Sequence, residues 1–153
     1  MFLDRFSEVY EEQQLESKIQ ESGLNINEFI TLASIVEREA VKKEERPIIA
    51  GIFYNRLSIQ MPLQSCATVQ YILKERKPVL SIADTKIDSP YNTYLIKGLP
   101  PAPIASPGLD AILATSNPQQ TNFLYFVAKG DGGHEFSETY EQHLQAKKKY
   151  LGE

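Results

Sequence analysis

Two glutamates flanking an arginine, Glu37 and Glu39, close the otherwise apolar run "TLASIVEREA" at residues 31–40. A carboxyl group half-withdrawn from water keeps its proton to higher pH than a solvated one, and a proton held that way can be passed to a leaving oxygen. At about 100° per residue, Phe29, Ile30, Leu32, Ala33, Ile35, Val36 and Ala40 make an apolar face centred near Phe29 and Val36. Glu37 and Glu39 fall on opposite shoulders of that face, each about 80° from its centre, while Arg38 points to solvent. A shoulder is where general-acid chemistry becomes available. The structural alternative is that both are boundary glutamates paired with Arg38, Lys42, Lys43 or Arg46. Periodicity separates neither the two readings nor the two residues.

Other residues invite smaller roles. In "SPYNTYLIKGLPP" Tyr91 and Tyr94 stand around Asn92, and aromatic faces with amide groups suit the apolar C–H faces and hydroxyl rims of sugar rings. The same pair also suits anchoring a long loop to the core. His134 follows "GDGG" at a hairpin tip, placed for solvent exposure or for proton transfer and ligand positioning. Asn55 and Arg56 end a helical run, where capping and carbonyl contacts account for them. Cys66 is expected to pack as a small apolar group. A single cysteine forms no internal disulfide, and no Cys/His grouping has zinc spacing, so neither metal nor cofactor is expected. The net charge of −4 argues against a nucleic-acid partner, because phosphate backbones are held by clustered cations.

The elements that must position these residues are mostly helical. A first helix carries Phe2, Phe6, Val9, Tyr10, Leu15 and Ile19 at helical spacing and ends at Gly23. Asn25 with Glu28 makes a capping box that opens "NEFITLASIVEREAVK". Pro47 suits the first turn of "PIIAGIFYNRL". An extended piece at 61–64 leads to a helix from about Ala67 to Lys74. Six prolines between Lys77 and Pro107 predict an ordered loop with short strands. Ser106 and Pro107 are placed to start the helix "GLDAILATSN", and "NFLYFVAKGDGGHEFS" reads as a hairpin before a closing helix capped by Ser137. With 153 residues, 42% apolar, the chain is expected to form one α+β domain, helices packed with a small antiparallel sheet and the proline-rich loop lining a cleft.

The stretches "LASIVEREA", "ERPIIAGIFYNRL", "MPLQSCATVQY", "SPYNTYLIKGLPPAPIASPG" and "NFLYFVAKGDGGHEFSETYEQH" occur in the order seen in the YceG-like endolytic murein transglycosylases. From about residue 24 to the end the chain resembles that family. The resemblance implies cleavage of the β-1,4 bond between N-acetylmuramic acid and N-acetylglucosamine within peptidoglycan strands. The muramic C6 hydroxyl is the nucleophile, and a 1,6-anhydro end remains. Glycoside hydrolases usually need two carboxylates across the bond, whereas an internal nucleophile lets one glutamate act first as acid and then as base. The "EREA" ending resembles the helical Glu-then-small-residue signature of lytic transglycosylases, which carries the catalytic role to Glu39, with Glu37 as the fallback. Gln64, Tyr91, Asn92, Tyr94 and His134 are carried over as lining of the saccharide cleft. The chain departs from the family where "LQSDPT" is usual, with "LQSCAT" at residues 63–68.

Family members usually carry an N-terminal membrane helix and a LysM-like module and act on the outer face of the cytoplasmic membrane. The expectation is therefore a soluble catalytic fragment, 1–153, with residues 1–23 a leading helix and 24–153 the family core, of a single-pass membrane protein. Peptidoglycan strands are the implied partner, and cell-wall synthases the candidate protein partners. Two alternatives stand beside this reading. A non-catalytic glycan-binding or scaffold module of the cell-wall synthesis machinery is motivated by Cys66 and Ala67. An ordinary hydrolase would use Asp84 or Asp110 as second carboxylate.

Overall fold

The computed structural model describes residues 15–75, Lys77 and residues 80–152. The positions Phe2, Phe6, Val9 and Tyr10 of the expected leading helix lie outside them. Helix α1 (Leu15–Ser22) buries Leu15 and Ile19 and stops at Gly23, whose left-handed φ of 79° strains any residue with a Cβ. Helix α2 (Ile26–Glu39) opens on the expected capping box. The Asn25 side chain accepts the Glu28 N–H at 2.8 Å, and the Asn25 N–H donates to Glu28 Oε1 at 3.0 Å, a device that contributes about 1 kcal/mol.

The expected run of α2 through Lys42 does not occur. Ala40 is extended, with φ −101° and ψ 108°, and the Arg46 guanidinium donates to its carbonyl at 3.2 Å. Glu39 is thereby the last helical residue. A 3-10 turn (Lys43–Glu45) leads into α3 (Arg46–Ser58), with Pro47 in its first turn, and α4 (Cys66–Leu73) follows an irregular stretch at 61–65 in which Gln64 is left-handed. Lys74, left-handed at φ 58°, closes α4.

The loop from 77 to 107 is ordered as expected, but it forms no strand among the described residues; it holds a 3-10 turn at Asp84–Lys86 and a series of turns. Proline removes ladder donors there, and the buried Asn92 side chain, with the hydroxyls of Ser81 and Ser89, bonds backbone groups of the loop instead. Helix α5 (Leu109–Ser116) begins after Gly108 and not at the expected Ser106–Pro107 pair; Gly108 is its extended N-cap, and the Gly108 N–H donates to the Glu37 carboxylate at 2.7 Å. The hairpin forms as β1 (Tyr125–Ala128) and β2 (His134–Ser137), antiparallel, with Tyr125 opposite Ser137 and Ala128 opposite His134. Ser137 stays in the strand. The closing helix α6 (Tyr140–Leu151) is capped instead by Thr139, whose side chain accepts the Gln142 N–H at 3.2 Å.

The architecture is α+β, six helices and one two-stranded antiparallel sheet among the described residues. Helix α2 is the wall shared by two apolar clusters. On one side Leu32, Ile35, Val36 and Ala40 meet Ile49, Ala50 and Phe53 of α3 and Ala111 of α5. On the other, Phe29 and Ala33 meet Leu15 and Ile19 of α1 and Ile112 of α5. Each large side chain so buried contributes about 1.5–3 kcal/mol, which pins α2 and with it the position of Glu39.

Candidate active site

Because α2 ends at Glu39, the carboxyl leaves the helix and reaches the first turn of α4. Its Oε1 accepts the Ser65 hydroxyl at 2.6 Å and the Ala67 N–H at 3.0 Å. Oε2 has no protein partner among the described residues. Glu39 is half-buried, so one oxygen is fixed by the protein and the other is left for whatever enters.

Around Ser65 the chain makes a tight elbow. The Ser65 N–H donates to Thr93 Oγ1 at 2.8 Å, Thr93 and Thr68 share a hydroxyl hydrogen bond at 2.8 Å, and Thr68 Oγ1 donates to the Ser65 carbonyl at 2.9 Å. All three residues are fully buried. Gln64 precedes them in a left-handed conformation, φ 51°, with its N–H on the Thr93 carbonyl at 3.1 Å and its side chain exposed. Arg56, buried, holds the residues just upstream: Nη1 donates to the Pro62 carbonyl at 2.8 Å and Nε to the Leu124 carbonyl at 2.7 Å. This is the carbonyl-binding role expected of it. Asn55 does likewise, donating to the Thr121 and Phe123 carbonyls at 3.0 and 2.9 Å.

Glu37 is engaged differently. Oε1 accepts the Gly108 N–H, and Oε2 pairs with Arg46 Nη2 at 2.8 Å, the Arg46 side chain being only 13% exposed. Both oxygens are occupied by protein, and the carboxylate ties α2 to α3 and α5. Asp110 pairs with Lys43 at 3.2 Å, and Asp84 with Lys77 at 2.7 Å. Neither aspartate is joined to Glu39 by a hydrogen bond or ion pair among the described residues.

Of the expected cleft residues, Gln64 and Tyr94 gather at this elbow. The Tyr94 hydroxyl lies 3.1 Å from the Cys66 thiol, and burial, the thiol and the Glu39 carboxylate together push its pKa above the ordinary phenol range. It is a neutral hydroxyl at any pH the protein meets. Cys66 does not pack as a buried apolar group; it is exposed at the start of α4. A thiol at a helix N-terminus is usually pulled down, yet here desolvation of the sulfur, then the Glu39 carboxylate, raise it.

Tyr91 lies on a neighbouring groove of about 660 Å³, its ring 5.1 Å from that of Tyr71, with Arg38 and Gln70 also lining it. Ala67 is the shared wall between the groove and the Glu39 elbow. Asn92 is turned inward: fully buried, its Nδ2 donates to the Thr85 and Ile87 carbonyls and its Oδ1 accepts the Tyr94 N–H at 3.0 Å. It shapes the loop that carries Tyr91 and Tyr94. His134 is bonded through Nδ1 to Glu45 Oε1 at 2.9 Å and packs edge-on against Phe126, joined by no contact to Glu39 among the described residues. Ser65, Thr68, Thr93 and the Ala67 amide were not singled out by sequence pattern. Ser65 as an N-cap-type residue before "CATVQ" was the one available signal. Among the described residues no group of three His, Cys, Asp or Glu side chains is placed to hold a metal ion.

Fold and site define a helix-rich α+β domain in which one half-buried carboxyl, Glu39, reaches from the end of one helix to the start of another and keeps an oxygen free of protein partners among the described residues. The chain belongs to the YceG-like family, whose model matches residues 1–149. An endolytic murein transglycosylase of Bacillus subtilis (strain 168) is 42% identical over 135 residues, 88% of this chain and 38% of that protein. One of Streptococcus pneumoniae serotype 2 is 47% identical over 117 residues, 73% of this chain and 21% of that protein. The crystal structure of a yceG-like protein from Listeria monocytogenes superposes with a TM-score of 0.80 at 38% identity, over 87% of this chain and 44% of that one. The chain spans less than half the length of these relatives.

Proposed function

We propose that this chain is the catalytic region of an endolytic murein transglycosylase, with Glu39 as its acid and then its base. The observation that carries the choice is the contrast between the two glutamates: Glu39 keeps Oε2 open while both oxygens of Glu37 are bonded to protein. In the proposed reaction Glu39 gives its proton to the glycosidic oxygen as the bond from C1 breaks. The carboxylate then takes the proton of the muramic C6 hydroxyl as that oxygen bonds to C1. No water is consumed, and the glutamate ends as it began. Gln64, Tyr94 and Tyr91 offer amide, hydroxyl and aromatic surface to the strand.

A second reading draws on the same bonds, since a glutamate bonded to the first turn of a helix is also a cap; on that reading the domain binds glycan without cutting it. The two part on products. Incubated with purified strands, the parent chain is expected to release anhydro-ended fragments, one water lighter by mass than hydrolytic ends. Glu39→Gln lowers that release by about 10²- to 10⁴-fold with an unchanged melting temperature, and Glu37→Gln retains it. Binding without cleavage by the parent would sink the catalytic reading, and an active Glu39→Gln beside a dead Glu37→Gln would move the role to Glu37.

No helix among the described residues is long and apolar enough to cross a membrane. We place the domain on the outer face of the cytoplasmic membrane, as part of a single-pass protein working beside cell-wall synthases, because peptidoglycan lies there.

A further inference from the structure

We propose that Ser65 is a positioning residue that decides which oxygen of Glu39 carries the transferred proton. The inference rests on the reading of Glu39 as the acid. A carboxylic acid has one proton and two oxygens, and a strand in the cleft can be protonated only from the oxygen that faces it. Glu39 Oε1 already accepts two hydrogens, from the Ser65 hydroxyl at 2.6 Å and the Ala67 amide at 3.0 Å. A third hydrogen on that oxygen would collide with these donors, so the acid proton sits on Oε2.

The elbow leaves Ser65 no other task. Its N–H donates to Thr93 Oγ1, the Thr93 and Thr68 hydroxyls share a hydrogen bond at 2.8 Å, and both hydroxyls face the Ser65 carbonyl, Thr68 at 2.9 Å and Thr93 at 3.4 Å. The ring closes on the peptide groups of Ser65 itself. With its backbone held on both sides and no exposure to water, its Oγ–H has the Glu39 carboxyl as its acceptor. Thr93 comes from the proline-rich loop, so that loop steadies the proton donor from behind as well as presenting Tyr94 in front.

The test uses the 153-residue chain and soluble glycan strands, with turnover measured as anhydro ends. Ser65→Ala is expected to lower kcat about 10- to 100-fold, the rate equivalent of one hydrogen bond to a charged group, with KM within about twofold. Thr93→Val is expected to lower kcat in the same way, and Thr93→Ser, which keeps the hydroxyl, to restore it. Should Ser65→Ala fail to fold, the Thr93 pair decides the matter alone. A Ser65→Ala protein with parental kcat, a loss confined to KM, or a Thr93→Ser protein as impaired as Thr93→Val overturns the proposal and leaves the role of Glu39 intact. If the parent chain makes no anhydro ends, the reading of Glu39 as the acid fails first, and this inference with it.

Discussion

Cys66 is exposed between Ser65 and Ala67, the two residues bonded to Glu39, and its chemistry reports on that carboxyl. Although the residue is exposed, its sulfur is partly desolvated by its neighbours, and this together with the Glu39 charge holds the thiol above its ordinary range, so in the parent protein iodoacetamide should react slowly at neutral pH and speed up only at more alkaline pH than for a free thiol. Glu39→Gln removes the nearby negative charge, which favours the thiolate and lowers the thiol pKa. At a fixed, mildly alkaline pH, alkylation of Cys66, read by mass spectrometry, is expected to be faster in Glu39→Gln; equal rates would break the proposed proximity. Ala67, where the resemblance leads one to expect proline, has a second physical effect. Ala67 keeps an N–H that proline would lack, and that N–H is one of the two donors on Oε1. Single residues were read unevenly from sequence. Helical spacing put Glu39 on a shoulder but left it equal to Glu37, because what separates them comes from Ser65 and Gly108, both far along the chain. Asn92 looked like a cleft residue by composition, whereas its short amide proved the best match for carbonyls inside its own loop.

Local signals predicted the elements well where they carry their own chemistry. The capping box at Asn25, Pro47 in the first turn of α3 and the glycine-rich hairpin all formed, since each satisfies backbone groups within a few residues. Element ends differed where distant groups meet them: Arg46 takes the Ala40 carbonyl where α2 stops early, and Glu37 accepts the Gly108 N–H at the N-cap of α5, two residues past the expected cap. Among the described residues the strands expected in the proline-rich loop did not appear, and hydroxyl and amide side chains of Ser81, Ser89 and Asn92 bond its backbone instead. Helix α3 shows how closely elements are set. Gly51 faces the backbone carbonyl of Gln119, which is itself pinned by its N–H on the Pro47 carbonyl at 3.0 Å, and a Cβ at Gly51 would run into that oxygen. Gly51→Ala is therefore expected to destabilise by about 1–3 kcal/mol despite its better helix propensity, measured by urea unfolding. A neutral or stabilising result would show that the 117–120 segment yields freely.

On the scale of the whole molecule, α2 belongs to both apolar clusters, so neither can come apart while the other stays intact. Unfolding should accordingly be one transition. The chain has eight tyrosines and no tryptophan, so near-ultraviolet dichroism reports largely on tyrosine packing while the far-ultraviolet signal reports helix. Coincident midpoints by the two probes are the expected outcome, and an earlier tyrosine transition would mean that the loop bearing Tyr91 and Tyr94 detaches on its own. One consequence of the Gln64–Ala67 elbow concerns how such a chain is free to drift in length. The bonds that seat Glu39 come from an interval of four residues whose register is set by one left-handed residue and one threonine ring. An insertion or deletion in an exposed turn such as the hairpin tip at residues 129–131 moves a spacer. The same change inside that interval rotates Ser65 and Ala67 off the carboxyl, so descent can lengthen the loops of this domain but not the hinge beneath its acid.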